Sequence, residues 1–428
     1  MPPLSAVSWP LWRKVIFRFT ALYFLVYSSP LQWLGELPLI ADLGGLYNQG
    51  EKWLVEWANA HIFHVKDVLV PMAGSGDTSY GYAQLCFFSL FAVLGTVVWS
   101  LLDRRRPHYE KGYAWLRIGI RYYVALVSFS YGIIKLFALQ MPFPSISQLA
   151  TPIGDLSPMR LAWFFIGYSS PYEIFSGALE CAAGALLIFR RTSTLGAFMA
   201  AAVFMNVAMM NLAYNIPVKL FSIHLFVFSN ILLAADAQRL LNFFVFNRAT
   251  APAPVFTLPK KWMRIGRIAL KIAFAGLFIA YPLYNSYQNS LTPFNSSPAK
   301  DVLTTGIFEV AAFETDGRMK EDSLRWKEVI FERYNGGTIQ TTDTLFRQRY
   351  HRAYFSYTLD SLKQHISFKK RVSDSLSLFT LQCTLSDTNT VLLKGKVQND
   401  SLRVVLKRSR RHYPLADKPF DWLLESVP

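Results

Sequence analysis

The sequence contains little cysteine and little charge, and both shortages narrow the class of protein. Its 428 residues include three cysteines, Cys86, Cys181 and Cys383. They lie far apart and form no CxxC pair, so neither a disulfide framework nor a cysteine metal site is predicted. Only 17% of the residues are charged, whereas 52% are hydrophobic and the mean hydropathy is +0.23. This composition is too apolar for an ordinary soluble protein and favours a membrane protein.

Signatures of many soluble enzymes and of nucleic-acid-binding proteins are also missing. No GxSxG, Walker or dinucleotide fingerprint is present, and neither is a haem or iron–sulfur ligand set. His61 and His64 have metal-ligand spacing, but no third ligand accompanies them, which disfavours a metal site. The net charge of +16 is concentrated in short clusters beside apolar segments, as in membrane topology signals. We therefore expect no nucleic-acid partner.

Seven apolar windows are long enough to cross a bilayer core of about 30 Å as helices. They lie at 15–34, 83–102, 118–139, 172–189, 194–214, 219–237 and 265–284. Their flanking basic clusters all fall on one side if the amino terminus is cytoplasmic and the carboxyl terminus is outside. The sequence thus predicts an α-helical polytopic bundle of about seven spans, the first of them uncleaved. Arg121 falls inside the third window, where it can snorkel from the inner end.

The chain changes character near residue 300. Polar and apolar residues then alternate in short runs, separated by the turns NGG, SDTNT and QND, which is typical of antiparallel strands. We predict a β domain over 300–428, either a lipocalin-like barrel or a sandwich, on the outer side of the membrane. A packed interior is favoured over a cavity. Alternation assigns the inward positions to Phe379, Leu381, Leu385, Leu393, Val397, Leu402, Val404 and Leu406.

Three domains are expected before the β domain. Residues 1–112 form the first spans with an amphipathic helix in an outer loop, 113–240 form the central bundle, and 241–290 form a basic linker and the last span. In the loop after the third window, Ser157 and Pro158 are typical of a helix start. The helix that follows has about eleven residues, which is too short to span, so we interpret it as re-entrant or interfacial.

Four polar residues share the outer half of the predicted bundle. Helix geometry places Lys135 about 6 Å, His224 about 7 Å, and both Glu180 and Asn206 roughly 12 Å below the outer surface. A cation at such depth is costly, so Lys135 either snorkels or pairs with Glu180. Glu180 cannot snorkel, and is either that partner or a neutral acid bonded to a neighbouring helix. His224 is either a packed, hydrogen-bonded histidine or a ligand-binding residue.

Residues 113–240 resemble the DoxX-like family of bacterial integral membrane proteins. The resemblance rests on ECAAGALLIFRR, which begins at Glu180, and on TSTLGA at the start of the next helix. Members are four-helix membrane bundles, and some are subunits of quinone-reducing oxidoreductases. The resemblance implies a bacterial inner-membrane protein but does not account for the β domain, which the basic clusters place on the outer, periplasmic side. A more distant resemblance links YGIIKL, with Tyr131 and Lys135, to the vitamin K-dependent carboxylase-related membrane domain, whose lysine lies at a quinol site.

Two functions are consistent with these features. In the first, the protein is a quinone-binding or lipophile-binding subunit of a redox system: Lys135 or His224 hydrogen-bonds a ring oxygen, Glu180 exchanges the proton, and a redox partner subunit supplies electrons. In the second, the protein is a non-enzymatic membrane anchor or assembly factor that presents the β domain. The candidate ligand-binding residues are Tyr131, Gln140, Arg160 and Asn206.

Overall fold

A computed structural model describes residues 8–29, 41–72, 76–251, 260–291, 305–316, 318–319, 325–332, 335–360, 364–387, 389–398 and 400–417. The chain divides into two compact units. The helical unit comprises Met1–Gln140 and Ser170–Gln288, and the barrel unit comprises Met141–Ser169 and Asn289–Pro428. Part of the central segment 113–240 therefore groups with the β domain. The predicted start of that domain, residue 300, lies outside the described residues.

Most of the described helices belong to the helical unit; α5, α6 and α13 belong to the barrel unit. In chain order the helices are α1 (Leu11–Tyr27), α2 (Ala41–Ala58), α3 (Ser79–Leu102), α4 (Glu110–Leu136), α5 (Ile146–Leu149), α6 (Pro158–Tyr168), α7 (Ser170–Ile188), α8 (Ser193–Ala213), α9 (Lys219–Ala234), α10 (Ala237–Phe244), α11 (Lys261–Ala275), α12 (Tyr281–Leu291) and α13 (Pro414–Asp417). Single π-helical segments follow α2, at Asn59–Phe63, and separate α11 from α12, at Gly276–Ala280.

The prediction of about seven spans is wrong. In the described part of the chain, α3 and α8 are long and apolar enough to cross a membrane, and α9 with α10 is a third candidate that bends by 76°. The apolar windows overcounted because a window ignores where helices end and how many charges they carry. For example, α9 has 16 residues, and α4 carries Arg117, Arg121 and Lys135. The depths inferred for the four polar residues depended on the seven spans, so those depths do not hold either.

Small residues bring α4 and α7 into close contact. A Cβ added at Gly177 would lie 2.6 Å from the Gly132 carbonyl oxygen and 2.7 Å from Lys135 Cβ. A Cβ at Gly184 would lie 3.0 Å from the Phe129 ring. The two backbones can approach this closely only because these positions lack side chains. This contact places the carboxyl-terminal turn of α4 directly beside the middle of α7.

The β domain is a closed antiparallel barrel of eight strands. Strands β1, β3, β4, β6, β7, β8, β9 and β10 follow one another around the ring, and β1 pairs with β10 to close it. Two short strands, β2 and β5, pair with β1 and β6. The strands are β1 (Gly306–Thr315), β2 (Arg318–Met319), β3 (Glu328–Glu332), β4 (Gly336–Ile339), β5 (Arg347–Arg349), β6 (Arg352–Leu359), β7 (His365–Lys369), β8 (Phe379–Asp387), β9 (Thr390–Val397) and β10 (Asp400–Arg408).

Side chains fill the barrel interior, and aromatic rings dominate it. Among the buried residues of this core are Trp326, Phe331, Phe346, Phe355 and Phe368. Their ring centroids lie 5.0 to 6.4 Å apart in contacting pairs, as in the packed aromatic clusters of protein cores. The alternation therefore indicated the correct type of domain, and the interior is packed.

One predicted inward position of the barrel is wrong. Leu385 is 44% exposed, because the pairing of β8 with β9 shifts register between Leu385 and Asp387. Such a bulge turns the following side chains away from the strict alternation that precedes it. Val397 packs against the core but is only partly buried, whereas Leu393, Val404 and the other predicted positions are buried.

The barrel unit includes the short helices before α7. Helix α6 begins at Pro158 after Ser157, as predicted from the sequence. Helix α5 contacts the barrel through Ser147: its backbone N–H donates to Glu332 Oε1 at 2.8 Å, and its hydroxyl lies 2.8 Å from Thr338 Oγ1. Thr338 in turn accepts from the buried Arg352 side chain at 3.0 Å. These polar contacts join the segment Met141–Ser169 to the barrel.

Candidate functional site

A buried ion pair forms where α4 meets α7. Lys135 Nζ lies 2.5 Å from Glu180 Oε1, and the two side chains are 9% and 1% exposed. The pair explains how a cation is retained in this apolar helix: each charge offsets the cost of burying the other. The structure thus supports pairing rather than a solitary snorkelling lysine.

The ion pair is incompletely satisfied. Glu180 Oε2 is buried and has no hydrogen-bond partner among the described residues. A carboxylate can accept several hydrogen bonds, and buried polar atoms without a partner are uncommon. The free oxygen is therefore available to a proton or to a donor from a bound molecule. On its other side, Lys135 Nζ lies 5.8 Å from the centre of the Tyr131 ring.

A cavity of about 610 Å³ lies within the helical unit. Its volume falls within the range of small-molecule sites. Its lining combines aromatic and polar side chains. The aromatic and apolar lining residues include Tyr23, Tyr27, Tyr80, Phe88, Tyr123 and Phe221, and the polar ones include Asn48, Glu51, Lys52, Gln84 and His224.

His224 is held firmly in this cavity wall. Its Nδ1 lies 2.6 Å from the Leu220 carbonyl oxygen, and its Nε2 lies 2.6 Å from Tyr23 Oη. A carbonyl can only accept, so Nδ1 carries the proton, and neutral Nε2 accepts from the Tyr23 hydroxyl. The Tyr27 ring stacks on the imidazole with centroids 4.1 Å apart. His224 is therefore both packed and hydrogen-bonded, with its ring facing a cavity.

Glu51 contributes a carboxyl group to the cavity lining. Glu51 on α2 is hydrogen-bonded by the Gln84 amide on α3. Burial raises the pKa of the Glu51 carboxyl, although hydrogen bonds from Gln84 and Tyr47 oppose the increase. A carboxyl group in these surroundings can accept or donate a hydrogen bond, depending on its protonation.

Tyr131 links the ion pair to the cavity. Its ring contacts Lys135 and also packs against Phe221, with centroids 6.0 Å apart. Phe221 lines the cavity. Three of the residues predicted from the sequence, Lys135, Glu180 and Tyr131, are thus in direct contact or adjacent, and His224 lies in the cavity that this contact reaches.

The other predicted ligand-binding residues lie elsewhere. Asn206 is exposed on α8, and the buried asparagine of that helix is Asn211, which donates to Ser222 Oγ at 2.9 Å. Gln140 follows α4, and its backbone N–H donates to Glu173 at 3.0 Å. Arg160 belongs to the barrel unit, where its guanidinium lies 5.9 Å from the Tyr350 ring.

Sequence reasoning missed most of the cavity wall. Tyr23 and Tyr27 are four residues apart on α1 and therefore share a helix face. That spacing could have indicated an aromatic surface, but only the fold shows that it faces His224. Glu51 and Gln84 are 33 residues apart in sequence, and no local pattern predicts their contact.

Among the described residues, no group of three or more histidine, cysteine or acidic side chains could hold a metal ion.

These features define a class: a protein with at least two helices long and apolar enough to cross a membrane, a cavity and a buried ion pair in its helical unit, and a closed β-barrel. No protein-family model matches the chain, and no solved structure matches it. A stretch of 84 residues, 20% of this chain, is 37% identical to the uncharacterized protein YwoB of Bacillus subtilis. The chain covers 54% of the length of YwoB.

Proposed function

We propose that this chain is a DoxX-like protein of the bacterial inner membrane, and that its helical unit binds a quinone or a similar lipophilic ring. The observation that carries the proposal is the cavity of about 610 Å³. It combines stacked aromatic rings with His224, and Tyr131 connects it to the Lys135–Glu180 pair. An aromatic wall suits a flat apolar ring, and a few fixed polar groups suit its oxygens.

The residues of the cavity fit such a ligand chemically. The Tyr23 hydroxyl, which now donates to His224, can donate instead to a ring oxygen within the cavity. His224 then retains its orientation through Leu220. Glu51 and Gln84 supply further polar atoms in the cavity lining. Tight orientation by these groups would favour one ring position over others.

Glu180 is the group best suited to exchange a proton. Its Oε2 is buried without a partner among the described residues, while Oε1 is held by Lys135. Lys135 fixes the carboxyl group and stabilises its charged form, and Tyr131 lies between Lys135 and Phe221 of the cavity wall. A quinone supplies two-electron redox chemistry when bound. The electrons come, in this proposal, from a redox partner subunit, and the barrel lies in the periplasm.

Quinone binding can be tested directly with the purified full-length protein. Titration with a short-chain ubiquinone in detergent should quench tryptophan fluorescence in a saturable way. His224→Gln should weaken binding about tenfold, equivalent to about 1.4 kcal/mol, since it removes the imidazole that stacks on Tyr27 in the cavity wall. The matched control is His365→Gln, because His365 lies on β7 of the barrel. Equal binding by both variants would contradict the proposed cavity site.

A non-enzymatic membrane anchor is a second candidate function, because a tightly held Lys135–Glu180 pair can also serve helix packing alone. The role of Glu180 in proton uptake distinguishes the two functions. Chemical reduction of the bound quinone takes up protons, which a pH-indicator dye records. Glu180→Gln should slow this uptake while retaining quinone binding, and the exposed barrel variant Glu309→Gln should not. An anchor whose ion pair serves only helix packing would show no saturable quinone binding in any of these proteins.

A further inference from the structure

Besides the Lys135–Glu180 pair, the helical unit contains a second cluster of charged residues, and the central members of this cluster are all basic. It consists of Arg117 and Arg121 on α4, Arg190 after α7, and Arg267 and Lys271 on α11. Lys271 Nζ lies 3.2 Å from the carbonyl oxygen of Ile188, two residues before Arg190. The Tyr122 and Phe274 rings, with centroids 5.2 Å apart, bring α4 and α11 together beside Arg121 and Lys271. The positive charges of Arg117 and Arg190 therefore act on Arg121, and those of Arg190 and Arg267 act on Lys271. We call these five residues the basic cluster. Repulsion of this kind costs free energy unless an anion offsets it.

Asp236 supplies a negative charge at one edge of the basic cluster. It forms an ion pair with Arg117 at 3.3 Å, but its carboxylate also accepts from Thr194 at 2.7 Å and from Arg239 at 3.2 Å. The charge of Asp236 is thus shared between Arg117 and Arg239. Lys271 reaches an uncharged acceptor, the Ile188 carbonyl oxygen, at 3.2 Å.

Arg121 presents an unused donor in the middle of the cluster. Its Nε is buried and has no hydrogen-bond partner among the described residues. The guanidinium also lies 5.2 Å from the Tyr122 ring, and the Tyr122 side chain is a hydrogen-bond partner of Arg121. A guanidinium with a free donor, beside a second arginine and a lysine, is the arrangement that proteins use to bind phosphate groups.

We propose that the basic cluster binds a phosphate group, with Arg121 and Lys271 as its central ligands. In a membrane protein, the phosphodiester of an anionic lipid supplies this chemistry, and a free phosphate ion shares it. The lipid is favoured because the tail would lie along apolar helix surface: Phe189 and Ile268 beside the cluster are exposed. Basic pockets between membrane helices bind anionic headgroups for this reason.

The test measures the thermal unfolding of the full-length protein in detergent by intrinsic tryptophan fluorescence. Phosphatidylglycerol, phosphatidylcholine and inorganic phosphate are titrated separately. Phosphatidylglycerol should raise the melting temperature in a saturable way, and phosphatidylcholine should not. Arg121→Gln and Lys271→Gln should each weaken the apparent affinity about fivefold, the effect of about 1 kcal/mol per basic residue.

A matched control separates the cluster from general charge. Arg105→Gln removes the same charge from an exposed position after α3 and should leave the affinity nearly unchanged. If Arg121→Gln fails to fold, Lys271→Gln carries the test. A shift with phosphatidylglycerol alone assigns the site to a lipid, and an equal shift with inorganic phosphate assigns it to a free anion. No shift with either, or equal weakening by Arg105→Gln, overturns the proposal.

Discussion

The helical unit buries two cations in different ways. Arg18 on α1 is 2% exposed and donates four hydrogen bonds: two to Tyr109 Oη, one to Ser100 Oγ and one to the Asp103 carbonyl oxygen. The Tyr109 hydroxyl donates a hydrogen bond to the Asp103 carboxylate at 2.8 Å. Lys135 has a single ionic partner, and one oxygen of that partner is unsatisfied among the described residues.

This difference separates a structural network from a candidate functional one. A fully connected buried network stabilises one arrangement of helices and leaves nothing for a ligand to bind. A pair with a spare acceptor is less favourable for stability alone, and unsatisfied buried atoms require an explanation such as a proton or a bound molecule. We therefore assign α1, α3 and Tyr109 a scaffold role, and the α4–α7 contact is where the proposed proton exchange would take place.

The largest expected effect comes from breaking the ion pair. Lys135→Met leaves the Glu180 carboxylate buried without its cation, which should lower the free energy of unfolding by about 3–5 kcal/mol. The double variant Lys135→Met, Glu180→Met removes both charges and should recover most of this loss. Chemical unfolding in detergent measures both. A double variant as unstable as the single one would show that packing, rather than charge, determines the effect.

A smaller loss is expected for the other buried cation. Arg18→Met should lower the free energy of unfolding by about 2–3 kcal/mol, because neutral acceptors lose their donor. The Asp103 carboxylate does not become a buried, unpaired charge in this variant, because its side chain is 32% exposed and Arg106 lies 3.9 Å away. The same unfolding experiment applies, and quinone binding should be unchanged in this variant. Weaker binding would contradict the assignment of Arg18 to the scaffold.

The close approach of α4 and α7 gives a third prediction. Gly177→Ala places a methyl group 2.6 Å from the Gly132 carbonyl and 2.7 Å from Lys135 Cβ, so the free energy of unfolding should fall by about 1–3 kcal/mol. Gly45→Ala on α2 is the matched control, since nothing lies within 4 Å of the added Cβ. There the better helix propensity of alanine should stabilise the protein slightly. Similar changes in both variants would contradict the packing argument.

The smallest effect on stability is predicted for the Cys383 thiol in the barrel interior. Burial raises the pKa of the Cys383 thiol from 9.0 to about 11. At pH 8 the native thiolate fraction is therefore about 100-fold lower than in the unfolded chain, and alkylation should be slower by about that factor. Because the pKa is raised, stability is unaffected well below pH 9 and falls as the pH rises through 9 towards 11.

Alkylation of Cys383 can be followed by mass spectrometry in a protein carrying Cys86→Ser and Cys181→Ser. The rate in native conditions is compared with the rate in denaturant. Equal rates would show that the barrel opens readily or that its core is less tightly packed than the aromatic contacts indicate.

Several features of this protein are determined locally and could be predicted from the sequence. Strict alternation from Phe379 to Cys383 marks a strand with one buried face, because successive side chains point to opposite sides. Ser157 and Pro158 mark the start of α6 because both suit the first turn of a helix. The small residues around Glu180 mark a helix contact, and a buried carboxylate there needs the nearby lysine.

Other features depend on contacts between distant residues, and only the tertiary structure decides them. The number of spans depends on where helices end and bend, as at the 76° break after α9, and a hydropathy window does not detect a bend. The partners of His224 come from α1, about 200 residues earlier in the chain. Asn211 rather than Asn206 is buried because the neighbouring helix covers one side of α8. The position of a residue along its helix determines which face of that helix it occupies. The packing of the other helices decides whether that face lines a cavity, joins the core or stays on the surface.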